Sequence, residues 1–129
     1  MHLHKKHFTL EEARAHVPTV EHLVAQLVEL KRSLDKKGYD VYRHTYFGGM
    51  GLNGQKNYPP ELVELVQIVQ DLDEKGILVK GLDEGLIDYP SIRENGEEVY
   101  LCWKLGEHTI DYWHRIPDGY RGRKPIGEL

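Results

Sequence analysis

The chain holds one cysteine, Cys102, in 129 residues, so no disulfide can form within it. A lone thiol fits a reducing compartment. Long apolar runs are missing as well. No stretch approaches the roughly 20 residues that span a bilayer, and the N-terminal MHLHKKHFTLEEA is basic but has no apolar segment behind it of the kind a secretory signal needs. The expected location is the cytoplasm, without a membrane role. Positive charge is in short supply too: 17 Lys and Arg against 21 Asp and Glu leave a net charge of −4. The field that draws a chain non-specifically to nucleic acid is absent, so nucleic acid is not an expected partner. Also missing are the phosphate loop G-x-x-x-x-G-K-[ST], the nucleophile elbow G-x-S-x-G, the zinc-protease His-Glu-x-x-His, the di-iron Glu-x-x-His and any paired-cysteine motif.

What is there describes a globular protein: 40% hydrophobic and 29% charged residues, in a length suited to one domain over residues 1–129. Thr9 and Glu12 stand in capping-box spacing after Phe8, which predicts a helix start. Pro18 predicts a kink or a break near His16. Beyond it Val20, Leu23, Leu27, Leu30 and Leu34 recur at intervals of three and four, and YDVYRHTYF carries the phase on to about Phe47. GGMGLNGQKNYPP then reads as a mobile loop, although without the preceding strand a dinucleotide loop requires. Pro60 opens a second helix with Leu62, Leu65, Val69 and Leu72 on one stripe, ended at Lys75-Gly76. The two helices should form an antiparallel hairpin over about 9–76. Its first arm is the longer, so part of the apolar stripe lacks a partner, and that predicts a homodimer.

Residues 77–129 read as sheet. GILVKG and GLIDYP are short apolar runs, Asn95-Gly96 is a hairpin turn, and Gly106-Glu107 suits a two-residue turn between EVYLCWKL and TIDYWHRI. The expected fold class is α+β: a long antiparallel helical hairpin packed on an antiparallel β-meander of three or four strands.

Alternation along the last hairpin partitions its chemistry. A turn at Leu105/His108 places Val99, Leu101, Trp103, Ile110, Tyr112 and His114 on one face, and Tyr100, Cys102, Asp111 and Trp113 on the other. Cys102 and His114 then cannot pair as a nucleophile or share a metal unless a bulge reverses the register. Cys102 reads as a small buried hydrophobe, Trp103 as a core anchor, and His114 as either a core-edge residue or a pocket ligand. Glu107 reads as a solvated turn charge. Glu12 and His16 stand one helical turn apart, and His2, His4 and His7 offer weak metal ligands at the N-terminus; no metal site is assigned. In GYRGRKPI, Arg121, Arg123 and Lys124 either hold an anion or bridge to acidic surface.

FTLEEA, GLIDYP, VYLCWKLGE, YWH and GYRGRKPI together resemble a family of small uncharacterised prokaryotic proteins, a domain of unknown function with the pattern FTxxEA, LCWxxGE, WH and GxxGRxP. The resemblance implies a single α+β domain and no established activity. It nominates Cys102, Trp103, Gly106, Glu107, Trp113, His114, Gly122 and Arg123. The expectation is therefore a non-enzymatic interaction or small-anion-binding module, a homodimer that takes an acidic ligand at His114, Arg121, Arg123 and Lys124, with no cofactor specified. The alternative is a metal-dependent or acid/base enzyme using Glu107 and His114.

Overall fold

The computed structural model describes residues 2–43 and 58–129. Helix α1 (Leu10–Lys36) starts at the predicted capping box: Glu12 N donates to Thr9 Oγ1 at 3.1 Å, and Thr9 N donates to Glu12 Oε1 at 2.8 Å. It runs unbroken through Pro18, so of the kink or break expected near His16 the break does not occur. Pro18 lies on the exposed face, where solvent can take the carbonyl it leaves unbonded, while Val17, Val20 and Val24 on the opposite side are buried.

The expected extension to Phe47 also fails. The helix ends at Lys36, Gly38 adopts φ +72°, and a short 3₁₀ turn follows at Val41–Arg43. The predicted GGMGLNG loop and the last residues of that extension lie outside the described residues. Helix α2 (Pro60–Glu74) begins at Pro60 and closes at Lys75-Gly76 as expected. None of the described helices is long and apolar enough to cross a membrane.

Among the described residues the sheet has five antiparallel strands in sequential order, not three or four: β1 (Leu78–Gly81), β2 (Leu86–Ile92), β3 (Glu98–Lys104), β4 (Tyr112–Arg115) and β5 (Lys124–Pro125). The extra strand is the two-residue β5 pairing Tyr112 and Trp113, too short to be seen as a hydrophobic run. Strand β2 takes up LIDYP and the following Ser91-Ile92. Its Pro90 is tolerated because β1 pairs only as far as Asp88.

The helices cover one face of this sheet. Ile87, Tyr89, Val99, Leu101, Trp103 and Trp113 join Val17, Val20, Val24, Leu27, Leu62, Leu65 and Leu72 in one continuous core. Gly85, at φ +71°, lets the β1–β2 turn approach α1 closely, since a Cβ there would stand 2.9 Å from Val24 Cγ1. Buried positions run along α1 from Ala13 to Leu34, with Leu23 and Leu30 of its stripe half-buried. Most of the apolar surface from which a dimer was expected is thus covered within the chain.

Candidate functional site

The central residues of the opposite face of the sheet are also buried, although they are not apolar. Asp88 on β2, Tyr100 and Cys102 on β3, and His114 on β4 are all buried, none more than 3% exposed. They share a face because Asp88 pairs with Cys102 while Tyr100 pairs with His114.

This corrects the expected separation of Cys102 from His114. The chain between β3 and β4 is a longer loop, residues 105–111, held by Arg14 Nε donating to the Ile110 carbonyl at 3.0 Å. It shifts the pairing so that Leu101 faces Trp113 instead of Tyr112. A one-residue slip exchanges the faces of a whole strand, so Trp113 joins the core and His114 joins Cys102.

His114 is held by both ring nitrogens. A backbone carbonyl can only accept, so the 2.8 Å contact to the Arg115 oxygen fixes Nδ1 as a donor. Nε2 then faces Asp88 Oδ2 at 3.1 Å. Burial works against the charged imidazole, but the hydrogen bond and charge of Asp88 and the Arg115 carbonyl outweigh it and hold His114 protonated to higher pH than a free histidine. The other carboxylate oxygen, Asp88 Oδ1, is buried without a hydrogen-bond partner. Such an orphan is costly in an interior. One ligand atom each from Asp88, Cys102 and His114 lies within 4.8 Å of the other two.

The thiol is not a prepared nucleophile. Burial, and then the adjacent Asp88 carboxylate, push the Cys102 thiol up, against the opposing pull of Arg123. A thiolate–imidazole dyad would need His114 to face the sulfur with a free nitrogen, and both nitrogens are taken.

A cleft of about 220 Å³ opens onto Asp88 and His114, walled by Lys80, Leu86, Tyr100, Ile116, Gly119 and Tyr120. On the same face Arg123 Nη2 donates to Glu107 Oε2 at 2.5 Å, and its guanidinium stacks 3.9 Å from the Tyr112 ring centroid and 4.8 Å from that of Tyr120. Glu107 also accepts from Lys104 N at 2.8 Å, so it is an anchored partner and not a free turn charge.

His114 and Arg123 thus both sit beside Cys102. Arg121 is exposed, and Lys124 pairs with Trp113 and lies 5.4 Å from that ring. Glu107 and His114 each bind a different partner, Arg123 and Asp88, and do not contact one another among the hydrogen bonds of the site. A second cluster joins His2 and His7 to Glu98, but the Glu98 carboxylate is already occupied by the N–H groups of Leu3 and His4 and by His7 Nε2.

Asp88 was missed by sequence reasoning, as were Lys80 and Tyr100. The signal for Asp88 was an acid set inside the otherwise apolar LIDYP strand, since a charge between two core positions demands a partner.

Fold and site together define an α+β protein with a buried carboxylate, thiol and imidazole on the sheet face away from its helices. The chain belongs to the family described as Uncharacterized conserved protein (DUF2203), whose model matches residues 6–126. No curated protein and no solved structure matches it.

Proposed function

We propose that this protein binds one zinc-class divalent transition metal through Asp88, Cys102 and His114, with a coordination position left open towards the cleft. The observation that carries the reading is the orphaned Asp88 Oδ1 beside a thiol and an imidazole whose ligand atoms lie within 4.8 Å of one another. Thiolate, imidazole and carboxylate form a donor set suited to zinc, at bond lengths of about 2.0–2.3 Å, and three protein ligands with one open position are typical of zinc sites that handle a ligand or substrate.

The hydrogen bonding of His114 supports the reading. Metal-ligating histidines characteristically donate their second N–H to a carbonyl or carboxylate, and here Nδ1 donates to Arg115. Without metal, a proton on Nε2 bridges to Asp88. A metal would be held by His114 Nε2 in that proton's place, by Cys102 as thiolate and by the otherwise half-satisfied carboxylate, with the two displaced protons released to solvent. The bound ion would act as a Lewis acid on whatever enters the cleft.

The expected small-anion site on Arg123 has less support, because that guanidinium is already bound by Glu107. The test is titration of metal-free protein with Co²⁺. One equivalent should bind and produce the near-ultraviolet thiolate-to-cobalt band, and Cys102→Ser should abolish the band. A band that persists in that variant, or no cobalt uptake by the folded protein, would refute the proposal.

A further inference from the structure

The cleft suggests what occupies the open position. It is small, about 220 Å³, below the roughly 300–1,000 Å³ of pockets that take drug-sized ligands. Its walls are largely apolar, from Leu86, Ile116, Tyr100 and Tyr120, and its polar groups converge at the floor, on Asp88 and His114.

Lys80 is the exception at the rim. It is the extra residue of a β-bulge: Val79 pairs with Ile87 and Gly81 with Leu86, leaving Lys80 without a register partner. Bulges re-aim side chains next to functional sites. Here the bulge carries Nζ to 4.9 Å above the Tyr100 ring centroid, over the same cleft. Among the described residues no carboxylate lies within ion-pair distance of it, unlike Lys31, which is bound by Asp35 and Asp83.

Charge decides the class of ligand. A divalent ion with a thiolate, a carboxylate and a neutral imidazole is electrically neutral as a unit. Arg123 and Glu107 cancel one another. Lys80 then leaves a single positive charge facing the cleft, which matches one monoanion.

We infer that the cleft binds a short-chain carboxylate, one oxygen on the open metal position, the other towards Lys80 Nζ, and the alkyl group against Leu86 and Ile116. This rests on the metal reading above and deepens it.

Cobalt-loaded protein titrated with acetate, butanoate and inorganic phosphate tests both. Butanoate should shift the visible cobalt bands and bind several-fold more tightly than acetate, since each buried methylene contributes up to roughly fourfold. Lys80→Ala should weaken butanoate by roughly tenfold or more, as for a lost hydrogen bond to a charged group, with cobalt affinity unchanged and Lys80→Arg restoring much of the loss. If the thiolate band forms but butanoate leaves it unmoved, if phosphate binds more tightly than butanoate, or if Lys80→Ala binds butanoate as the parent does, the carboxylate inference fails while the metal site stands. If no thiolate band forms, both fall together.

Discussion

Neighbouring residues on strand β3 face two different interiors. Leu101 and Trp103 point to the helices and Tyr100 and Cys102 point away, yet all four are nearly inaccessible to solvent. On the helix face burial is met by apolar packing against α1 and α2; Trp103 Nε1 donates to the Glu107 carbonyl at 3.0 Å, while the Tyr89 hydroxyl is buried there without a partner. On the other face equal burial encloses a carboxylate, an imidazole and a thiol, with one carboxylate oxygen left over. Burial by itself therefore does not distinguish the core from the site. Ionisable groups gathered at equal burial do.

The contrast is sharpest in substitutions one residue apart. Trp103→Ala should cost about 3–5 kcal/mol of unfolding free energy, a large part of the 5–15 kcal/mol typical of a domain. Urea unfolding measures it, and a loss under about 1 kcal/mol would mean that the helix face is not the principal core. Glu107→Ala comes next. It leaves Arg123, whose side chain is 9% exposed, without its carboxylate, and should cost about 2 kcal/mol. Stacking on Tyr112 and Tyr120 keeps the guanidinium in place, so cobalt binding by the variant should persist.

Cys102→Ala should cost only about 1 kcal/mol, the worth of one small buried group, while eliminating metal uptake. Trp103→Ala should do the reverse at temperatures where it remains folded. If Cys102→Ala proves as destabilising as Trp103→Ala and leaves metal uptake intact, both faces are core and the distinction is lost.

The helix face was largely legible in the sequence. The Thr9/Glu12 cap, the three-four stripes, Pro60, Gly76 and Asn95-Gly96 each act locally, so spacing suffices to read them. The open face was not, because its composition hinges on one register. A tight turn was expected at Gly106-Glu107 because glycine suits its first position, and Gly106 does adopt φ +102°. Leu105 N donates to the Gly85 carbonyl at 2.9 Å, however, and Arg14 reaches across from α1 to Ile110. These tertiary contacts lengthen the loop and turn His114 towards Cys102. Neither is encoded near the turn itself. Glu107, His114 and Arg123 were each recognisable as polar residues in unusual places, whereas their partners depend on strand pairing that only the fold supplies.

The mildest test concerns the edge of the open face, where the N-terminal arm lies over β3. Burial disfavours a charged Glu98, but the hydrogen bond from His7 and the N–H groups of His4 and Leu3 outweigh it and lower its pKa to about 2. A depressed folded-state value means that this contribution is complete above the ordinary value of 4.5 and is lost as pH falls from there through about 2. The groups facing Glu98 are His7, His4 and His2, with Tyr100 hydrogen-bonded to His4 at 2.6 Å. The amide resonances of Leu3 and His4 should therefore titrate together with a midpoint near 2, and Glu98→Gln should remove the transition. The effect on global unfolding should be small, because the arm is anchored separately where Phe8 N donates to the Pro90 carbonyl at 2.8 Å. A midpoint near 4.5 would mean that the arm is not docked on β3 in solution. The open face would then extend beyond Tyr100 to Glu98, and the Tyr100 hydroxyl would lose its hydrogen bond with His4.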